Sequence, residues 1–324
     1  MEYIHCNLCG SDNTELLFTK EDKLGISPVE FNVVRCTKCG LIYVNPRPEA
    51  KEIAKFYPEG YLWKEADKYK KENFNIINLI EKTYKSLFLN FECETVKSIA
   101  GINNERKSRL LDIGCGTGER LNIFRKKSFD TYGLEISNEA EYAKNFFGLE
   151  VLKAPLEEAN FENNFFDIVT IYNVLEHTCN PSQFILQVNR ILNNGGLLVL
   201  QIPNTDSLQY MIYQKKWIAF DVPRDLFYFN LRQLQRLLEK AGFSLFKISY
   251  ISALLHPSIA MSSFSNDLDP QLVWTNEIKT NKREFAKRAK WLLFTLLAFP
   301  LLLLECFLSK PGMVTLFLKK KEIA

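Results

Sequence analysis

Through the middle of the chain, short apolar runs at 110–113, 131–134, 168–172 and 197–202 alternate with stretches of helical period, the pattern of a doubly wound α/β sheet. Upstream, Phe74, Ile77, Ile80, Tyr84, Leu87, Phe88, Phe91 and Ile99 recur near helical spacing, and Gly101 is placed to end that helix. Residues 41–44 read as a short strand that stops at Asn45-Pro46-Arg47-Pro48, where two prolines forbid regular pairing. Further on, Asn230 can cap a helix over 231–241, Gly242 ends it, and strands follow at 243–250 and 314–318. The expected organisation is a small unit at 1–48, a helical linker at 49–105, an α/β domain at 106–251 completed by 313–324, and an insertion at 252–312.

The insertion has its own pattern. Lys279, Lys282, Arg283, Lys287, Arg288 and Lys290 precede residues 291–308, of which 15 of 18 are apolar, and lysines follow at 310 and 319–321. Eighteen residues sit at the lower limit for a membrane-spanning helix, and Pro300, Glu305 and the basic flanks argue against a simple span. Peripheral membrane contact through 279–308 is one reading, and a helix covering the sheet or a dimer contact is the other.

The 324 residues carry 41 Lys+Arg against 38 Asp+Glu, a net charge of +3, which does not favour a nucleic-acid partner. Met1 to Cys6 lack the basic start and apolar run of a signal peptide, so the expected location is the cytoplasm or the inner face of its membrane, where cysteines are thiols or metal ligands. Four of the eight cysteines form Cys6-x-x-Cys9-Gly10 and Cys36-x-x-Cys39-Gly40, separated by 26 residues. The two-residue gaps let both thiolates of each knuckle face one metal, and the glycines permit the tight turn, so a zinc ribbon is expected. Four thiolates leave no open coordination position, which makes the zinc structural and His5 a bystander.

The most informative stretch is Asp112-Ile-Gly114-Cys-Gly116-Thr-Gly118, a strand, a glycine turn and the start of a helix. The glycines let the backbone approach a ligand and set unpaired helix N–H groups beside it. Glu135, at the end of the next apolar run, is placed to accept hydrogen bonds from ribose hydroxyls. The glycines fall at 114, 116 and 118, not at the spacing of a dinucleotide site. Asp112 would repel a pyrophosphate and suits a ligand with an ammonium and a sulfonium, which describes S-adenosylmethionine.

At these residues the chain resembles the class I S-adenosylmethionine-dependent methyltransferases. The resemblance continues through Gly133-Leu-Glu135-Ile-Ser137, Phe166-Asp167-Ile-Val-Thr-Ile-Tyr-Asn-Val-Leu-Glu-His177 and the turn and strand from Leu192 to Asn204. It implies a Rossmann-like, mostly parallel seven-stranded sheet ending in an antiparallel hairpin. It also implies cofactor contacts: Asp112, Gly114, Gly116 and Gly118 at the methionyl part, Glu135 and Ile136 at ribose and adenine, Leu156 at adenine, Asn173 at the amino group. With the ribbon, Phe56-Tyr57-Pro58-Glu59-Gly60-Tyr61, Trp217 and Pro223-Arg224, the chain is similar to a narrower group of zinc-ribbon methyltransferases associated with bacterial cell-surface glycan and lipid biosynthesis. That group commonly has His after Pro-Arg, where this chain has Asp225.

Methyl transfer from a sulfonium needs mainly alignment and exclusion of water, with a general base only for an acceptor proton of high pKa. His177 is the best-placed base, with Glu176 and Asp225 behind it. The expected acceptor is a small molecule, a sugar or a lipid-linked precursor. An RNA methyltransferase gripping its substrate with the ribbon is disfavoured, because Lys20, Lys23, Arg35, Lys38 and Arg47 are opposed there by six carboxylates. A non-catalytic cofactor-binding module is the third reading. Oligomeric state is not legible.

Overall fold

A computed structural model describes residues 1–57, 76–101, 107–250, 263 and 284–322. The expected features at Phe74, Pro58 to Tyr61 and Lys279 to Arg283 lie outside the described residues.

The N-terminal unit is built from β1 (Thr14–Glu21), β2 (Glu30–Cys36) and β3 (Ile42–Val44), followed by the short helix α1 (Ala50–Ile53). The long helix α2 (Ile76–Ala100) ends at Gly101, whose φ of +63° makes the left-handed stop. Then come β4 (Arg109–Ile113), α3 (Glu119–Lys126), β5 (Asp130–Leu134), α4 (Glu139–Phe147), β6 (Val151–Leu152) and β7 (Phe166–Tyr172). The chain continues through α5 (Pro181–Ile191), β8 (Leu192–Pro203), α6 (Leu208–Tyr213), β9 (Phe227–Tyr228), α7 (Leu231–Lys240), β10 (Phe243–Ser249), α8 (Glu284–Phe307) and β11 (Met313–Lys320).

The large sheet has seven strands in the order β10-β11-β8-β7-β4-β5-β6. Strands β8, β7, β4, β5 and β6 are parallel, and β11 runs antiparallel to both β8 and β10. This is the Rossmann-like sheet with a terminal antiparallel hairpin. The apolar runs read from the sequence are its central strands, buried on both faces. The edge strand β6 is two residues long, too short to give a periodic signal.

Two layers of side chains cover the sheet. One contains Leu111, Ile113, Val169, Ile171, Leu198 and Leu200 under α5 and α7, and it is continuous with Cys6, Leu8, Cys36 and Tyr43 of the N-terminal unit. The other contains Leu110, Ile168, Val199 and Phe317 under α2, α3 and α4. In α2 the seam that packs is Leu89, Cys93 and Val96, while Leu87 and Phe91 stand exposed. The apolar spacing therefore identified the helix but not its inward face, which is set by docking on α3: Arg120 Nε bonds Glu92 Oε2 at 3.3 Å.

The small sheet contains a strand that its own sequence does not supply. Its order is β1-β2-β3-β9, with Ile42 opposite Tyr228 and Tyr43 opposite Phe227, so β9 is contributed from 185 residues downstream. Polar contacts brace the same junction. Lys240 Nζ donates to the Leu8 carbonyl at 2.9 Å, Gln233 Nε2 to the Cys39 carbonyl at 3.2 Å, and the backbone N–H of Ser182 to Asn7 Oδ1 at 3.0 Å. Arg224, fully buried, bridges Asp22 of the small unit (2.6 Å) and Asp221 (2.7 Å).

Candidate active site and metal centre

The four cysteines predicted as ligands come together. The Sγ atoms of Cys6, Cys9, Cys36 and Cys39 lie within 4.8 Å of one another, with Cys6 to Cys39 at 3.4 Å and Cys9 to Cys36 at 3.6 Å. A tetrahedral zinc with bonds of about 2.3 Å requires sulfur separations of about 3.8 Å, so the donor set fits that metal in type and spacing. Burial pushes the Cys6 thiol well up and Cys39 up to about 11. At Cys36 burial acts the same way, but the backbone N–H groups of Cys39 and Lys38 outweigh it and lower the thiol to about 7. Thiolate-directed N–H groups of this kind are what a knuckle supplies to a bound cation.

The glycine loop leaves β4 at its carboxyl end. Gly114 has φ +74°, and a Cβ there would lie 2.3 Å from Val174 Cγ2, so the loop can pass only as glycine. Gly118 has φ +81°, and a Cβ there would meet Leu149 Cδ1 at 2.6 Å and Ala143 Cβ at 2.9 Å. These close approaches set the first turn of α3 beside the ends of β4, β5 and β7. Gly116 lies between them with φ +53°.

The other expected cofactor residues divide into three kinds. Glu135, buried at the end of β5, accepts from the Gly116 N–H through Oε2 (2.9 Å) and from the Ser137 N–H through Oε1 (2.9 Å), so its carboxylate ties the glycine loop to the following turn. Asp112 accepts from the Thr170 hydroxyl at 2.7 Å; burial pushes its carboxyl up to about 6, with Arg120 and Thr170 opposing. Asn173 has φ +54°, and its buried Oδ1 has no partner among the described residues. Ile136 stands 69% exposed beyond β5, whereas Leu156 is buried in the core. A glycine cradle, a carboxylate at its rim and an orphaned amide oxygen fit a ligand such as S-adenosylmethionine.

His177, Glu176 and Asp225 also converge, although 48 residues separate the first from the last. His177 Nδ1 lies 2.8 Å from Asp225 Oδ1 and 3.1 Å from the Arg224 carbonyl oxygen. Both partners are acceptors, so Nδ1 carries the proton, and the described residues supply no partner for Nε2. The Tyr57 ring stands edge-on to the imidazole at 6.4 Å between centroids. Burial alone would lower the imidazole pKa, but the Asp225 charge and hydrogen bond and the Glu176 charge outweigh it and raise it to about 10. Burial pushes the Glu176 carboxyl up; His177 opposes, Asp225 adds, and it stands at about 7. Its Oε2 is buried without a partner among the described residues. The Asp225 contact thus favours the imidazolium, which donates through both ring nitrogens.

A polar network on the α2 side was missed by the sequence reading. Thr170, Gln201 and Thr315 stand on adjacent strands, with Gln201 Nε2 donating to Thr315 Oγ1 (3.1 Å), and the Arg120 guanidinium lies 3.6 Å from the Tyr172 ring centre. The signal was present: Thr170 and Gln201 are polar residues inside otherwise apolar strands.

Comparison with known proteins agrees with this geometry. Residues 88–248 match a family described as a methyltransferase domain. An uncharacterized protein of Methanocaldococcus jannaschii is 29% identical over 177 residues, spanning 55% of this chain and 80% of its own length. A ubiquinone biosynthesis O-methyltransferase of Rickettsia prowazekii is 26% identical over 183 residues, 54% of this chain and 68% of its own. The crystal structure of a protein from Galdieria sulphuraria, described provisionally as a sarcosine dimethylglycine methyltransferase, superposes with a TM-score of 0.52 at 15% identity, covering 73% of this chain and 86% of that one, and speaks for the fold alone. With the glycine loop, the seven-stranded order and the family match on one segment, the chain carries a class I S-adenosylmethionine-dependent methyltransferase domain.

Proposed function

We propose that the chain methylates a small organic acceptor through an acidic hydroxyl or a carboxylate. S-adenosylmethionine supplies the methyl carbon to the acceptor oxygen and leaves as S-adenosylhomocysteine. In this reading Asp112 and the loop of Gly114, Gly116 and Gly118 hold the methionyl part, and Asn173 takes the amino group through its orphaned oxygen. Glu135 and Ile136 hold the ribose and adenine, with Leu156 as the core beneath the adenine. The N–H groups that Glu135 already accepts stiffen the loop before the cofactor arrives.

The observation that carries the acceptor half is the His177–Asp225 pair. Asp225 orients the ring through Nδ1 and keeps it charged, so Nε2–H donates to an acceptor oxygen that is already anionic or readily ionised. The pair thus replaces the base role expected for His177 with that of a hydrogen-bond donor, and Asp225 acts as a positioning residue. A relative named for O-methylation in ubiquinone biosynthesis supports an oxygen acceptor. A sugar or lipid-linked glycan acceptor rests on sequence resemblance only. The zinc is read as structural: its four donors are thiols, and the cluster shares the core of the α/β domain.

Isothermal calorimetry with S-adenosylmethionine and S-adenosylhomocysteine, on wild type and Glu135→Ala, tests the cofactor half. Micromolar binding that weakens at least ~10-fold in the variant supports it, and unchanged affinity removes the Glu135 assignment. Labelled-methyl transfer to phenols and carboxylates against simple sugars tests the acceptor half, and preferential turnover of the sugars refutes it.

A further inference from the structure

The helix α8 is held on the body of the protein by one face. Ala298 and Leu302 are buried, and Glu305, fully buried, accepts from Gln209 Nε2 at 3.0 Å and from the Gly312 N–H at 3.2 Å. Cys306 Sγ donates to the Tyr250 carbonyl at 3.3 Å. These contacts fix the rotation of the helix, and the opposite face therefore points outward.

That outward face is apolar. Leu293, Leu297, Leu304, Phe307 and Leu308 are between 46% and 85% exposed, at spacings of three, four and seven that stack them on one stripe. The adjoining helix α6 adds Met211 and Ile212, 53% and 55% exposed. The two elements touch: Lys310 Nζ lies 3.8 Å from Met211 Sδ, and the Leu208 N–H donates to the Lys310 carbonyl at 2.9 Å. Contiguous apolar exposure of this kind on two neighbouring elements marks a contact surface.

The charges decide what the surface meets. Exposed Lys215 and Lys216 come three and four residues after Ile212, exposed Lys310 follows the end of α8, and the sequence at the start of α8 carries Lys287, Arg288 and Lys290 against Glu284. Basic residues thus stand at both ends of the helix and beside α6. Two copies packed through this face would bring the exposed Lys215, Lys216 and Lys310 of both into one interface. An anionic lipid surface accepts the apolar side chains at the headgroup boundary and attracts the lysines. Among the described residues no helix is long and apolar enough to cross a membrane, so the contact lies in the plane of the surface.

We propose that α8 and α6 dock the protein on an anionic membrane surface, with Phe307 and the neighbouring leucines entering the headgroup boundary. Docking at this face brings the enzyme to acceptors that partition into lipid. The inference stands apart from the reading of the active site, and its test uses neither cofactor nor acceptor.

The test is sedimentation of the full, zinc-loaded chain with phosphatidylglycerol/phosphatidylcholine vesicles and with phosphatidylcholine vesicles alone. Binding to the anionic vesicles should be at least ~10-fold tighter than to the neutral ones and should weaken in high salt. Phe307→Asp should reduce it strongly. Lys215→Glu combined with Lys216→Glu, at exposed positions where folding is not at risk, should reduce it independently, with circular dichroism and melting temperature unchanged. Equal partition into neutral and anionic vesicles, or none into either, overturns the proposal. So does light scattering that shows a dimer dissociated by Phe307→Asp without vesicle binding, which would make this face a contact between copies.

Discussion

Replacing Asp225 by asparagine should return His177 to an ordinary histidine while leaving the shape of the site intact. Asparagine keeps an oxygen within reach of Nδ1, now 2.8 Å from Asp225 Oδ1, and removes only the charge. The wild-type imidazole is raised from 6.5 to about 10. At 1.36 kcal/mol per unit the whole shift corresponds to about 5 kcal/mol, and water around a side chain that is 33% exposed screens roughly half of it, leaving about 2 kcal/mol. A histidine pKa raised by folding adds stability that is fully present below about pH 6.5 and is lost as the pH rises through about 10. Wild type should therefore lose about 2 kcal/mol across that window, measured by urea unfolding, and Asp225→Asn should lose much less. The chain has three histidines, so NMR titration reads His177 directly once His177→Gln has identified its signal. The expected result is a wild-type ring still charged near pH 8 and a variant that titrates one or more units lower. A wild-type His177 titrating near 6.5 would refute the ion pair and restore the ring as a neutral base.

Two further outcomes follow from the junction between the small unit and the α/β domain. Metal analysis should find about one zinc per chain, and Cys36→Ser or chelation should lower the melting temperature markedly, because Cys6 and Cys36 are part of the main core. Metal loss should also shift the His177 titration: Arg47 Nη1 donates to the Cys179 carbonyl (2.7 Å) and the Val44 N–H to the Leu226 carbonyl (3.0 Å), so the small unit holds both flanks of the His177–Asp225 pair. An apoprotein as stable as the holoprotein, with an unmoved titration, sinks that coupling. Arg224→Met should cost about 3–5 kcal/mol in urea unfolding, because it removes the buried cation that Asp22 and Asp221 share and leaves Lys23, 3.5 Å from Asp221, to offset only the second carboxylate; a loss below about 1 kcal/mol would show that they do not depend on it.

The sequence by itself determined the elements and the chemistry carried by local spacing. Two Cys-x-x-Cys-Gly knuckles announce a four-thiol cluster because each pair of thiols is set by one turn. The glycine loop with Glu135 at the end of the next strand is legible because a strand, a tight turn and a helix N-terminus are neighbours in the chain. Burial on both faces made the central strands read as apolar runs, and Asn230 and Gly242 marked the ends of α7, where the Asn230 side chain accepts from the Gln233 N–H at 2.9 Å. What depended on distance along the chain was decided only by the tertiary structure. The pairing of β3 with β9, the Arg224 bridge to Asp22 and the ion pair between His177 and Asp225 join residues 48 to 202 positions apart, and no periodicity records such contacts. Periodicity also could not choose between the two apolar faces of α2 and α8. That choice came from single docking contacts, Arg120 with Glu92 in one helix and the buried Glu305 in the other, because an apolar residue packs against whichever surface the rest of the fold presents to it.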